Sequence, residues 1–597
     1  YPNCFTLSAE DCDSPIKWAF EISPWKDDSR AIVEWVQWLV GHGAQMVGFN
    51  NVGFDYPVLH ALLQMGKATP QILYDKAMSI IHAQDSNRFA SIVYPSDRYI
   101  EQIDLFKIHH FDNKARSTSL KALEFNMRMD NISDLPFPVG SILTREQVPV
   151  LLDYNAHDAT ATKRFYHQSI EQIEFRAALS KKHGRDFMNH SDVKIGKEIF
   201  QMELEKAGVQ CYKYGPNGRE PAQTKRASIA IKDCIPDFIH FENPEFNRIH
   251  QWLKEQVIVD TKGAFKVEAM VDGLEFVVGT GGLHASVNNR VYEADADYMI
   301  LDIDVTSLYP SIAIGQGYYP EHLGTQFVST YRTLRTQRIG YKKGSAENAM
   351  LKLALNGVYG ASGDKFSIFY DPLFTMKITI GGQMMVLMLT EWLMSVGLEI
   401  IQANTDGVTL HLPRVQLANV RSICAEWEKL TDLTLEHVQY SKMAIRDVNN
   451  YLAVSLDGKV KRKGAYEHDM EWHQNAGALV IAKVAEQVLV HGKPIRETVV
   501  NWPDKMDFML RCKVPRSSHL LWGETQVQNT CRYYVSTEGQ SLTKVMPPLA
   551  KKPDHWRRIG VESGWTVCVC NDLRDATMPI DYSYYISEIE KLVLGMK

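Results

Sequence analysis

The absences in this sequence narrow its reading first. There is no run of about 18 consecutive apolar residues, the length a helix needs to cross a bilayer, so the chain reads as no membrane protein. With 45% hydrophobic and 23% charged residues, it also lacks the polar bias of a disordered chain. Cysteines are sparse, nine in all and odd in number, and a reducing compartment fits their scatter. The one close pair, Cys568 and Cys570, is spaced for two side chains on one face of a strand rather than for a zinc knuckle. An excess of positive charge is missing too. The formal net charge of -6 gives no sign of a nucleic-acid partner, and only the local distribution of charge can supply one. The chain opens on Tyr1 rather than Met, with no charged, apolar and small-residue series of a targeting peptide after it, and we expect an N-terminus that has been cut. Its 597 residues exceed what one hydrophobic core organises, so about three to five domains are expected.

What is present begins with two short strands, CFTLSA and IKWAFEIS, then a helix near residues 31–41. MVGFNNVGFDYPVLHALLQ follows as an apolar strand, a polar turn and a helix, the pattern of an α/β layer. Helical periodicity runs from Val148 to about His183 and carries YNAHD. From Asp192 to about Gly282 the signals weaken to short strands and Pro-containing turns without repeats, which reads as linker and scaffold.

The strand YMILDIDV carries Asp302 and Asp304, which a period of two places on one face. A carboxylate on an apolar strand is costly unless it is paired; a divalent metal is one partner, and capping the next turn is the plainer alternative. LEIIQANTDGVTLHL reads as a hairpin whose turn offers a second carboxylate, Asp406. Two carboxylates converging from different strands can bridge a metal pair ~4 Å apart, as in-line phosphoryl transfer uses. Between them Arg332, Arg335, Arg338 and Lys342 step along one helical face, followed by Lys352. Such a stripe is either a solvated face or a clamp for a triphosphate.

DVTSLYPSI, KLALNGVYG and NTDG, in that order, resemble the three polymerase motifs of family B DNA polymerases. The resemblance implies an α/β and α+β multidomain chain, a ribonuclease H-like exonuclease domain followed by a right-hand palm, fingers and thumb. Boundaries are then expected at 1–185 for the exonuclease, 186–295 for linker and scaffold, 296–328 and 367–470 for the palm, 329–366 for the fingers and 471–597 for the thumb. It implies catalysis by Asp304 and Asp406, which hold two magnesium ions with the backbone carbonyl of Val305. Tyr309 would lie under the sugar and exclude a 2′-hydroxyl. Arg338, Lys342, Lys352, Asn356 and Tyr359 would bind the nucleotide. Gly360, Lys461 and Lys463 (in DGKVKRKGAY) and Gly281 and Gly282 (in GTGGLHAS) would meet DNA, although KVKRK is also what a lysine-protected edge strand looks like. Two departures stand out: Asn404 where members commonly have Asp, and Gly407 where they commonly have Ser.

Residues 1 to about 180 resemble the family's 3′–5′ exonuclease domain, with Asn50 and Asp55 in NNVGFD and Tyr154 and Asp158 in YNAHD. Asp55 and Asp158 would share a divalent metal while the phenol positions a water. The family's first exonuclease motif, Asp-x-Glu, is missing; either the natural start has been lost or proofreading is disabled, and the first is favoured, with the motif expected just before Tyr1. The ending IDYSYYISEIEKL resembles a thumb terminus, which implies a complete C-terminal end. Primer-template DNA and deoxynucleoside triphosphates are the expected partners, with no membrane, a monomeric state, a bacteriophage-like source and the host cytoplasm as location. The short interval between Asp304 and Lys352 favours an ordinary primer over a protein primer. Two other classes stay open: a replication factor that keeps the fold without catalysis, and an RNA-templated or ribonucleotide polymerase.

Overall fold

A computed structural model describes residues 1–83, 86–87, 89–216, 218–549, 555–573 and 578–596. The chain forms two compact units that interleave in sequence: Tyr1–Ser191, His468–Ile481 and Val499–Ser587 make one, and Asp192–Glu467, Ala482–Thr498 and Glu588–Lys597 the other. The segment expected as a thumb, 471–597, is therefore divided between them. A buried arginine ties the late strands to the early chain. Arg532, on the strand Thr530–Gln540, donates to the carbonyls of Met129 (2.6 Å) and Asp130 (2.8 Å), as well as to Cys570 (2.7 Å). A guanidinium without water must find such carbonyls, so the three segments are held as one body.

In the first unit, β1 (Phe5–Glu10) and β2 (Lys17–Ile22) form an antiparallel pair, as the two opening apolar runs indicate. Helix α1 (Ser29–Gly41), β3 (Met46–Gly48), α2 (Asp55–Met65) and α3 (Pro70–Ala83) follow. β4 (Gln102–Asp104) lies parallel to β3. Ile22, Ile32, Val36, Leu62 and Leu73 build the core between these helices and the β1–β2 pair. The continuous helix expected over 148–183 is two, α4 (Val148–Gln168) and Ile170–His183. Ser169 separates them: its hydroxyl donates back to the Phe165 carbonyl (2.8 Å) and meets His109 Nε2 (2.8 Å), a local bond that competes with the helical ladder.

In the second unit, the stretch expected as linker and scaffold begins with a helix, α5 (Asp192–Lys206), followed by α6 (Pro244–Glu255). The strands β5 (Lys266–Val271), β6 (Leu274–Gly279), β7 (Leu283–Ser286), β8 (Arg290–Glu293) and β9 (Tyr298–Val305) come next. Four helices follow: α7 (Leu308–Gly315), α8 (Gln326–Gly340), α9 (Ala346–Ser362) and α10 (Pro372–Ser395). The strands β10 (Glu399–Ala403), β11 (Gly407–Pro413), β12 (Leu435–Asp447), β13 (Asn450–Ser455) and β14 (Val460–Lys463) complete a ten-stranded sheet. Its order is β14-β13-β12-β9-β11-β10-β7-β6-β5, with β8 on β12. β9 is thus central, and its apolar residues have neighbours on both edges.

Helix α10 corrects one expectation. It is long and apolar enough to cross a membrane by length and composition, with a mean hydropathy of 1.4, because its threonines, glycines and glutamine interrupt the apolar run without offsetting it. Of that window 83% is buried inside the protein, which makes it a core helix of the unit. Helices α5 and α9 approach at Gly196, where a Cβ would stand 2.2 Å from the Leu353 carbonyl oxygen, so the scaffold segment braces α9 directly.

His250 on α6 is 3% exposed and packs 5.5 Å from Phe241. Burial pushes it down to about 4, with Lys254 and His240 adding to the effect. Its folded value lies below the unfolded one, so the unfolded chain binds the extra proton, and the stability present above pH 6.5 drains as pH falls toward 4. That loss amounts to about 3 kcal/mol. His250→Phe is expected to flatten the fall of Tm between pH 7 and 4; an equally steep fall in the variant would assign the acid sensitivity elsewhere.

Candidate active site

The central strand β9 brings the two carboxylates together. In its antiparallel pairing with β11, Asp304 faces Gly407, and the Val305 N–H donates 2.7 Å to the Asp406 carbonyl oxygen. The Asp406 side chain is exposed and Asp304 is half-buried. Burial pushes the Asp304 carboxyl up to about 7, with the like charges of Asp302 and Asp406 adding and Lys461 opposing. Here, then, is negative charge concentrated beyond what the protein neutralises.

Asp302 shares that face but is already satisfied. Its oxygens accept from Thr409 Oγ1 (2.7 Å) and the Tyr440 hydroxyl (3.0 Å), and Lys461 Nζ lies 3.4 Å away. Lys461, expected at the DNA backbone, turns its ammonium inward onto this carboxylate and beside the Tyr440 and Tyr451 rings. It sets the electrostatics of the carboxylate group. Lys463, opposite Tyr451 in the β13–β14 pair, is exposed.

Asn404 builds the turn. Its Oδ1 accepts the amides of Asp406 (3.1 Å) and Gly407 (3.0 Å), and its own N–H reaches the Gly407 carbonyl (2.9 Å). Either Asn or Asp can accept those two bonds, so the departure at this position preserves the loop that presents Asp406. Gly407 has no space for a side chain: a Cβ there would lie 2.0 Å from Asp304 Oδ1 and 2.5 Å from the Ile303 carbonyl oxygen.

The Gly281–Gly282 turn joins β6 to β7 and closes through the Gly279 N–H to the Gly282 carbonyl (3.2 Å). β7 pairs with β10, which leads into the Asn404 turn. A Cβ on Gly282 would be 2.3 Å from Thr405 Oγ1, while Gly281 has open space around it. Gly282→Ala is therefore expected to displace the turn carrying Asp406 and slow any chemistry that depends on Asp406 about 10-fold, and Gly281→Ala to leave the turn in place. Thr405→Ala leaves Cβ at an ordinary 3.5 Å, so the double variant should recover. A double variant as slow as Gly282→Ala alone would rule out this contact.

Tyr309 and Tyr359 stack face to face, with centroids 3.9 Å apart and planes 11° apart. Burial pushes the Tyr309 phenol up to about 12, with Tyr359 and Asp406 adding, which places the pair within the electrostatic reach of the turn. The Tyr359 hydroxyl is bonded to Thr379 Oγ1 at 2.7 Å on α10, which fixes the stack. On α9, Lys352, Asn356 and Gly360 recur every four residues on an exposed face, while Leu351, Ala354, Leu355 and Val358 are buried. Helix α8 packs alongside through the Tyr331 hydroxyl, 2.5 Å from the Leu355 carbonyl. Arg332, Arg335 and Arg338 lie on α8, but that helix ends at Gly340, so Lys342 stands beyond it and the basic stripe is one residue shorter than its spacing suggested.

A second acidic group lies in the first unit. Asp55 opens α2, and Asp158 lies on α4. Between them is a residue that the sequence reading passed over, Asp104, which is 0% exposed. Its oxygens accept the amides of Asn50 (2.9 Å), Val52 (3.2 Å) and Phe106 (3.0 Å), so it holds the NNVG turn and caps the helix Leu105–Ile108. The signal was there: an aspartate between an apolar strand and a helical run is an N-cap. Asn50 sits at φ 62°, a left-handed conformation that suits Asn. Asp55 is pushed up to about 7 by enclosure, then by Asp104 and Asp158; it lines a cavity, which is how it stays open to solvent while surrounded by protein. Lys121 bonds Asp158 and lies 4.7 Å over the Tyr154 ring, and burial raises the Tyr154 phenol with Asp158 adding.

No protein-family model matches this chain, and no curated protein sequence does. It is similar to a family B DNA polymerase. That protein, from the hyperthermophilic archaeon Pyrobaculum calidifontis, is 13% identical with a TM-score of 0.42, over 100% of this chain and 78% of the other. So remote a likeness leaves the chemistry to be argued from the site itself.

The donors fit a hard divalent cation. Asp304 and Asp406 offer carboxylate oxygens, hard donors that suit magnesium. Among the described residues no group of three or more His, Cys, Asp or Glu is placed to hold a metal ion. Magnesium seldom uses an all-protein cage: it binds through one or two carboxylates, with waters and substrate phosphates completing its shell.

Proposed function

We propose that this chain is a template-directed DNA polymerase of the family B kind, adding deoxynucleotides to a primer 3′ end. The observation that carries this reading is the convergence of Asp304 and Asp406, locked by the Val305 N–H to the Asp406 carbonyl at 2.7 Å. Asp304, Asp406 and the Val305 carbonyl would hold two magnesium ions, which supply neutralisation of phosphate charge during in-line transfer. The residues of the chain supply placement. Lys352 and Asn356 present a polar, cationic face to the triphosphate, Arg338 stands on the neighbouring helix, and Lys342 follows its end. The Tyr309–Tyr359 stack gives the sugar a rigid floor, and Gly360 leaves space near the new base pair. Lys461 restrains Asp302, the exposed Gly281 and Lys463 are open to a primer-template, and the buried Gly282 would act through the turn that carries Asp406. Asn404, as a turn former, removes the motive for reading the chain as an inactive replication factor.

In the other unit, Asp55 and Asp158 with Tyr154 support a 3′–5′ exonuclease that removes mispaired ends, with a divalent metal on the two carboxylates and Asn50 and Asp104 holding the turn. The short Asp304–Lys352 interval favours extension of an ordinary primer, and we read the source as bacteriophage-like with the host cytoplasm as location. One assay reads both activities. On a labelled primer-template with magnesium, longer products are expected with deoxynucleotides, and without them only poor shortening of single-stranded ends, since the first exonuclease motif is missing from this sequence; tight binding with no extension would defeat the polymerase reading. Tyr309→Ala separates it from a ribonucleotide polymerase. The variant is expected to raise ribonucleotide incorporation relative to deoxynucleotide by about 10-fold or more, since a pocket wall can only exclude a hydroxyl sterically. An unchanged ratio would remove Tyr309 from sugar selection.

A further inference from the structure

The first unit holds a three-stranded sheet in which the edge strand Leu510–Lys513 pairs antiparallel with Thr530–Gln540. Alternation puts Arg511 and Lys513 on one face, with Arg511 directly opposite Arg532. Like charges so placed destabilise a strand pair unless each finds partners of its own. Arg532 has them, in the carbonyls of Met129, Asp130, Cys570 and Asn571.

Arg511 does not. Its guanidinium lies 5.8 Å over the Phe125 ring, its Nε is buried with no hydrogen-bond partner, and among the described residues neither it nor Lys513 forms an ion pair. Burial lowers the Arg511 guanidinium below its ordinary value, and burial with the charge of Arg511 does the same to the Lys513 ammonium. Asp134 opposes this at Lys513, but that carboxylate already accepts the Thr530 amide at 2.7 Å. Ser119 completes the group. Its hydroxyl oxygen accepts from Lys513 Nζ (3.2 Å) and from the Ala122 amide (3.3 Å), which leaves its own proton to donate.

Two cations drawn out of water without a counter-charge weaken the fold, and an anion would offset that cost. A phosphate group suits these donors, since its oxygens can accept from a guanidinium, an ammonium and a hydroxyl together. The same run of chain continues to Arg516, which lines the cavity that also holds Asp55 and Asp158. At about 3.3 Å per residue, Arg511, Lys513 and Arg516 span at most about 17 Å.

We propose that Arg511, Lys513 and Ser119 bind a phosphate of a single-stranded nucleic acid, and that Arg516 leads the end of that strand into the cavity of Asp55 and Asp158. The phosphate site stands on its own residues. The direction of the strand rests on the exonuclease reading of Asp55 and Asp158.

The test uses the full chain without divalent metal, so that no strand is cut, and three probes: a labelled single-stranded oligonucleotide, a labelled primer-template duplex and inorganic phosphate. Arg511→Met keeps the packing on Phe125 and removes the charge. It is expected to weaken oligonucleotide binding about 10-fold and to lower the slope of log affinity against log salt by about 0.7, the value of one single-strand phosphate contact. Duplex affinity should stay within about two-fold, and Tm should rise because an unpaired, desolvated charge is gone. Oligonucleotide affinity and salt slope equal to those of the parent would overturn the proposal. So would a fall in Tm with equal loss of both nucleic-acid probes, which would make Arg511 a structural residue. Inorganic phosphate that stabilises the parent and not the variant, with oligonucleotide affinity unchanged, would assign the site to free phosphate and overturn the strand. If the oligonucleotide binds as expected but magnesium brings not even slow shortening, the exonuclease reading and the direction of the strand fall, and the phosphate site stands.

Discussion

Asp304→Asn and Asp406→Asn each lower primer extension at least about 1,000-fold, while affinity for primer-template stays within a few-fold of the parent. The amide keeps the size of the carboxylate and removes only its charge, so the strand pairing of Asp304 with Gly407 and the bond from Val305 to the Asp406 carbonyl, which uses main-chain atoms alone, survive. On the proposed reading, DNA affinity would rest on phosphate contacts elsewhere and should show a steep salt dependence in parent and variant alike. Stability should move the other way for Asp304→Asn. Asp304 is half-buried between the charges of Asp302 and Asp406, so removing one of them relieves repulsion, and Tm is expected to rise with activity gone. Extension rates and Tm measured on the same preparation decide it: an active Asp304→Asn enzyme, or one inactive only because its Tm has collapsed, would take the catalytic role from this pair.

Gly407→Ser, a change toward the residue that family B DNA polymerases commonly carry, is expected to lower the proposed primer extension by about 100-fold. The reason is local. A Cβ at 407 would lie 2.0 Å from Asp304 Oδ1, 2.5 Å from the Ile303 carbonyl oxygen and 2.9 Å from Asp304 Cα. Two of those three atoms are main chain in the central strand, so relief must come from parting β9 from β11 at the point where the carboxylates meet. Gly407→Ala should fail to the same extent, because the clash belongs to Cβ and not to the hydroxyl. Overpacking of this kind costs about 1–3 kcal/mol, so Tm should fall in both variants, in contrast to Asp304→Asn. Full extension activity in Gly407→Ser would mean that the two strands meet in another register.

Local pattern carried much of this protein into view. The apolar strand with Asp302 and Asp304 and the hairpin around Asn404 to Gly407 are each written in contiguous residues, because strand alternation and turn chemistry are properties of short windows. The roles within those windows were less legible. Lys461 looks like any lysine of a basic edge strand until the sheet order sets β14 two strands from β12 and turns its ammonium onto Asp302. Lys342 continues a helical spacing that the helix itself does not. Asp104 was hidden by its ordinary setting at a strand end, although its three accepted amides organise the turn before Asp55.

By itself the sequence determined the strand that carries Asp302 and Asp304 and the turn that carries Asp406, since those follow from side-chain periodicity and turn preference along a few residues. Tertiary structure alone decided that they meet. Asp304 and Asp406 are distant in the chain and become neighbours through the β9–β11 register, Gly407 becomes indispensable through an approach of 2.0 Å, and Val499–Ser587 joins the N-terminal unit, with Arg532 needing the carbonyls of Met129 and Asp130. Each is a pairing between remote segments, fixed by hydrogen bonds and excluded volume that no window of sequence contains.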